Sequence, residues 1–114
     1  MWSKIDDALL DHPKIYLAGR ELGKDGPAIA LGVYLGCLLW SNKQLTDGYI
    51  PAEVLARFPL VDKPLIVADA LIRAGLLEKV LGGYQIHDFK DYNKSAADIK
   101  KHRQEDRARK LASA

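Results

Sequence analysis

The chain has 114 residues, 48% of them hydrophobic, and a formal net charge of +2, enough for one hydrophobic core and too little for a second. Its single cysteine, Cys37, excludes an internal disulfide and joins no metal-type Cys/His spacing. The start, Met1 to Asp7, lacks the apolar core and cleavage site of a signal peptide, and the longest apolar stretch is too short to span a bilayer; a cytoplasmic protein with no membrane partner is expected.

Asp11-His12-Pro13 marks a helix start, because the fixed φ of proline suits the first helical turn. Ile15, Ala18 and Leu22 then share one face, Gly23 ends the helix, and His12 is explained by the start itself. Pro27 opens a second helix in which Ile29, Leu31, Val33, Tyr34, Leu35, Cys37, Leu38, Leu39 and Trp40 are apolar around most of the circumference. Such a helix belongs at the centre of the fold. Gly32 and Gly36 stand four apart within it, a spacing that predicts close helix packing. From Asn42 the pattern breaks, with Asp47-Gly48 as a turn and Tyr49-Ile50 as a short strand.

A third helix is predicted over Pro51–Phe58, offering Val54, Leu55 and Phe58 to the core. Phe58-Pro59-Leu60-Val61-Asp62 interrupts it, because the residue before proline avoids helical geometry. The next helix spans Lys63–Ala74, stacked across the third helix; Leu65, Ala68, Leu71 and Ile72 turn inward, and Lys63, Ile66, Asp69, Ala70 and Arg73 face outward. Gly75 to Leu81 then runs into Gly82-Gly83 and returns from Tyr84 to Phe89. Glycine adopts positive φ without steric cost, so the pair is expected to form both central positions of a hairpin turn. That turn sets Leu81 opposite Tyr84, Lys79 opposite Ile86, and Glu78 opposite His87. Pairing with Glu78 gives His87 a structural role, since Asp88 brings neither a nucleophile nor a third orienting group. The predicted class is mainly α (α+β), a winged helix-turn-helix with a small antiparallel wing hairpin.

Residues 92–114 carry seven cations (Lys94, Lys100, Lys101, Arg103, Arg107, Arg109, Lys110) and three acids, a net +4, which leaves a net −2 on the body. Ser95-Ala96-Ala97-Asp98 resembles a capping box with Asp in the acid position. Ile99 is the last large apolar residue before Leu111, so the helix that follows has almost no face to bury and should project. The expected organisation is a winged-helix domain over 1–92 and a basic C-terminal helix over 93–114. That helix is either a handle for phosphate or a solvated rod whose charges partly cancel.

Leu45-Thr46-Asp47-Gly48-Tyr49-Ile50-Pro51, Ala74-Gly75-Leu76-Leu77-Glu78, and Gly83 to Phe89 with Asp91-Tyr92 and a basic helix behind carry a family likeness, as do Trp2, Lys4-Ile5-Asp6 and Asp11-His12-Pro13-Lys14. Together they resemble the winged-helix N-terminal domains of phage replication-initiation (replisome-organiser) proteins and their small phage and prophage relatives. The resemblance covers nearly the whole chain and rests mainly on turn, core and wing residues. It implies origin or single-strand DNA binding and self-assembly, ahead of helicase recruitment. The longer members continue past the point of Ala114 into a second domain that meets the replication machinery.

Two functions of different classes follow. In the first, a DNA-binding module for replication initiation or transcriptional control, Lys63, Arg73 and wing Lys79 touch the duplex. Lys94, Lys100, Lys101, Arg103, Arg107, Arg109 and Lys110 then hold phosphates. Base readout would be thin, because Asp69 lies between the only two basic residues of the outward helix face. In the second, the Ile66 and Ala70 face or the first helix pairs with another chain, as a homodimer or with a replication protein. No enzymatic motif or cofactor site is indicated, and Cys37 lies in what should be the most buried helix.

Overall fold

The computed structural model describes residues 7–59, 61–87, 89 and 103–109. The chain is mainly helical, with one three-stranded antiparallel sheet. Helices α1 (Pro13–Gly19), α2 (Gly26–Gln44), α3 (Ala52–Leu55) and α4 (Pro64–Arg73) combine with strands β1 (Tyr49–Pro51), β2 (Leu77–Val80) and β3 (Gly83–Ile86) in the order α1-α2-β1-α3-α4-β2-β3. The expected α+β class is therefore the observed one. Trp2, Lys4, Asp88, Asp91, Tyr92, Ser95 and Ile99 lie outside the described residues, as does Leu60.

Helix α1 begins where proline predicts, and His12 caps it: its Nδ1 accepts a hydrogen bond from the Lys14 N–H at 3.1 Å. Ile15 and Ala18 are buried from α1, and Gly23 ends the short 3₁₀ turn Arg20–Leu22 at a φ of 90°. Helix α2 takes the central place, burying Ala30, Val33, Tyr34, Cys37, Leu38 and Ser41. It runs on to Gln44, past the break expected at Asn42, and stops when Leu45 turns left-handed at a φ of 58°. The close helix approach lies elsewhere than at Gly32 and Gly36. A Cβ on Gly26 would sit 1.8 Å from the Gly19 carbonyl oxygen, so α1 and α2 meet backbone to backbone at their junction. At Gly32 a Cβ would meet nothing within 4 Å, and at Gly36 its nearest neighbours would be atoms of the Phe58 ring rather than a second helix's backbone. A spacing of four aligns two glycines on one face, but it does not bring a second helix to that face.

A polar network locks the link from α2 to β1. The Thr46 hydroxyl donates to the Tyr49 carbonyl at 2.7 Å, which commits its only proton. Ser41 must therefore donate to Thr46 Oγ1, at 2.8 Å, while accepting the Gly48 N–H at 2.6 Å. Strand β1 then pairs with β3, with Ile50 opposite Tyr84 and Pro51 opposite Gly83. The sheet order is β1-β3-β2, so Pro51 occupies an edge strand, where its missing donor costs nothing. Because Pro51 belongs to β1, α3 is shorter than the predicted Pro51–Phe58 helix: it covers four residues and leaves the helical path before Phe58.

Helix α4 covers Pro64–Arg73, one residue shorter at each end than the predicted Lys63–Ala74, and its buried arc differs from the prediction. It packs on α1, α2 and β2, while α3 leans on β1 and β3, so α4 is not stacked mainly across α3. Pro64, Val67, Ala68, Ala70 and Leu71 are buried. Ala70, predicted to face outward, is wholly buried at 0% exposure, and Leu65, predicted inward, is 43% exposed. A helix flanked on several sides accepts a small alanine where a leucine would not fit.

The hairpin forms with a shifted register. Val80 lies opposite Gly83, Lys79 opposite Tyr84, Glu78 opposite Gln85 and Leu77 opposite Ile86. The turn residues are thus Leu81 and Gly82, two positions of register away from the Gly82-Gly83 turn expected from sequence. A shift of two keeps every side chain on its own face, which preserves the core residues Leu77, Tyr84 and Ile86. The two glycines have separate duties. Gly82 takes the positive φ, 80°, whereas Gly83 lies in β3, where a Cβ would fall 2.2 Å from the Ile50 carbonyl oxygen.

Backbone atoms cannot rotate away from such a clash, so Gly83→Ala should lower unfolding stability by about 3 kcal/mol. Gly32→Ala, a change in open space inside a helix, should be neutral or stabilising by up to about 1 kcal/mol. Urea unfolding of both variants checks the pair; a Gly83→Ala midpoint equal to the parent's would contradict the close β1–β3 approach.

Candidate functional site

The predicted contact residues divide among α4, the hairpin and the C-terminal helix. Lys63 precedes Pro64 and is exposed, with a φ of −130° that sets it outside the helix proper. Arg73 lies in the last turn of the same helix. At 1.5 Å of rise per residue the two backbones stand about 15 Å apart. Between them the exposed positions are Leu65, Ile66 and Asp69, and Ile66 is 51% exposed.

Arg73 is held by a residue that sequence reasoning does not single out. Its Nε donates to the two carboxylate oxygens of Glu21 at 3.0 and 2.8 Å, and its Nη2 donates to Oε2 at 2.6 Å. This is the forked geometry in which a guanidinium and a carboxylate fit best. Both side chains remain about half exposed. The Arg73 hydrogen bond holds the Glu21 carboxyl below its ordinary value of 4.5, with a further coulombic contribution from the same partner. No local signal points to this pair, since its members lie 52 residues apart.

Lys79 projects from β2 over the ring of its cross-strand neighbour, with its ammonium nitrogen 4.4 Å from the Tyr84 centroid. Tyr84 is buried, which raises its phenol pKa, and the Asp69 carboxylate of α4 adds to the rise. The hairpin and the exposed stripe of α4 are thus electrostatic neighbours. On the other face of β2, the Glu78 carboxylate meets His87 Nδ1 at 2.5 Å. The expected Glu78–His87 contact therefore exists, reached diagonally across the strands because the directly opposed residue is Gln85. At the hairpin tip Leu81 is 99% exposed.

Arg103, Arg107 and Arg109 lie on a helical stretch, residues 103–109, whose side chains are all exposed. Arg109 donates to Asp106 three residues earlier. Lys94, Lys100, Lys101 and Lys110 fall outside the described residues. The structure sets Lys63 at the entrance of α4, Arg73 in its last turn and Lys79 on the adjoining hairpin.

Cys37 is fully buried, and burial pushes its thiol up to about 12, so it is protonated at neutral pH. Among the described residues, no three His, Cys, Asp or Glu side chains gather to hold a metal, and no single helix is long and apolar enough to cross a membrane. No family model, curated protein or solved structure matches this chain.

Because the Glu21 value is depressed in the folded chain, the pair contributes stability above the ordinary glutamate value and loses it as pH falls through the lowered one. A carboxyl-carbon NMR titration should therefore place the Glu21 midpoint below 4.5, and Arg73→Gln should return it to the ordinary value. A parent midpoint already at the ordinary value would contradict the forked pair.

Proposed function

We infer that the chain is a DNA-binding module of the winged-helix kind, acting in the cytoplasm in phage or prophage replication initiation or in transcriptional control. The observation that carries this is the placement of the β2–β3 hairpin: β1 ties it to the body, and β2 packs against α4. A helix and a hairpin fixed side by side can meet a duplex together, the helix toward the groove and the hairpin along the backbone.

The residues available favour holding phosphate over reading bases. Lys63 and Lys79 are exposed point charges, and Arg103, Arg107 and Arg109 add guanidinium groups on the C-terminal helix, joined in sequence by Lys94, Lys100, Lys101 and Lys110. The exposed stripe of α4 offers Ile66 and Asp69 where a base-reading helix presents Asn, Gln or Arg. Contacts of this kind give affinity that depends on salt and little on sequence. Self-association and a replication-protein partner belong to the same proposal.

A second reading is favoured by the α4 surface itself. Leu65 and Ile66 are exposed next to each other in its first turns, and Glu21 already neutralises Arg73. An apolar pair of this kind suits a protein partner. The Ala70 named for that surface from sequence is buried and takes no part.

Replacing Lys100, Lys101 and Arg103 with glutamate should weaken binding to all duplexes alike and flatten the log–log salt slope by roughly 0.9 for each phosphate no longer neutralised. Anisotropy titrations on two unrelated duplexes at two salt concentrations measure both effects. Failure of the parent chain to bind either duplex at low salt would favour the protein-interaction reading.

A further inference from the structure

Glu21 and Arg73 join two parts of the fold that also pack against each other. Glu21 belongs to the 3₁₀ turn after α1, and Arg73 ends α4. On α4, Ile66, Asp69 and Arg73 recur at three- and four-residue intervals, so Arg73 shares the exposed stripe of the helix. That stripe and its entrance hold two cations, Lys63 and Arg73, beside the acid Asp69. With Arg73 bound to Glu21, its charge is offset and its Nε–Nη2 edge is occupied.

Resting on the DNA-binding reading above, we propose that Glu21 is an internal phosphate mimic that occupies Arg73 in the free protein, and that Arg73 exchanges Glu21 for a backbone phosphate when duplex binds. A carboxylate and a phosphate present the same pair of acceptor oxygens to a guanidinium, so the fork can pass from one to the other without new geometry. Exposure makes the exchange feasible. An exposed ion pair contributes little net free energy and opens readily, whereas a duplex offers a dense row of phosphates and gains entropy from released counterions. Glu21 then sets how far the DNA surface is attenuated in the free chain.

The test is a two-residue cycle on the full chain, with Glu21→Gln, Arg73→Gln and the double variant titrated against one labelled duplex at 50 and 150 mM salt, roughly the range over which phosphate contacts separate by affinity. Thermal unfolding is recorded for each variant. Glu21→Gln should bind about two- to fivefold tighter than the parent, the range that corresponds to the worth of an exposed pair. Its salt slope should also steepen by up to roughly 0.9. Arg73→Gln should bind no tighter than the parent, and adding Glu21→Gln to it should bring no gain. Glu21→Asp keeps the charge but shortens the reach, and should show part of the gain with a near-parent melting temperature.

Unchanged affinity of both folded Glu21 variants would overturn the proposal. So would a gain that survives in the double variant, because that marks simple removal of a negative charge. If neither the parent nor Glu21→Gln binds duplex at low salt, the DNA-binding reading itself has failed. If parent binding is normal and the cycle shows no coupling, only the exchange has failed.

Discussion

The approach of Gly83 to the Ile50 carbonyl is the contact on which the arrangement of this protein depends. A two-stranded hairpin in water is marginal by itself, and a third strand with a buried face is what makes it persist. Here β1 supplies that strand. It can do so only where β3 begins without a side chain, because any Cβ would collide with the β1 backbone. The pairing continues through the Ile86 N–H to the Gly48 carbonyl and the Ala52 N–H to the Gly82 carbonyl, so both ends of β3 are tied to the segment that leads from α2 to α3. The hairpin is therefore part of the body.

That attachment explains the surfaces on either side. Tyr84, fixed against Ile50, carries Lys79 on its ring and lies within electrostatic reach of Asp69 on α4. The helix itself is wedged against α1, α2 and β2, which buries Ala70 and Leu71 and turns Leu65, Ile66, Asp69 and Arg73 outward. The α1–α2 junction brings Glu21 to the end of α4, where it meets Arg73. A single frame thus sets the hairpin cation, the helix stripe and the carboxylate that restrains its arginine.

Much of this frame is legible in the sequence because its signals are local. Proline marks the starts of α1, α2 and α4 through its own fixed φ, and Gly23 marks an end through left-handed backbone. The Tyr49-Ile50 strand and the central place of α2 follow from turn residues and continuous apolarity. What fails to show depends on partners distant in sequence. Gly82 and Gly83 look alike as neighbours, yet one turns the chain and the other makes room for a strand more than thirty residues earlier; hence the expected register is two positions off. Helical spacing misjudges the face of α4 at Leu65 and Ala70 because it assumes one covered side, and this helix is covered on several. The Glu21–Arg73 fork has no sequence signal, since only the tertiary fold brings the two residues together.

The register of β3 between its neighbours can be measured directly by nuclear Overhauser contacts between backbone protons in the isotopically labelled chain. Cross-strand contacts from Lys79 to Tyr84 and from Tyr49 to Gln85 are expected in the same molecule. Contacts from Lys79 to Ile86, or none between Tyr49 and Gln85, would contradict it.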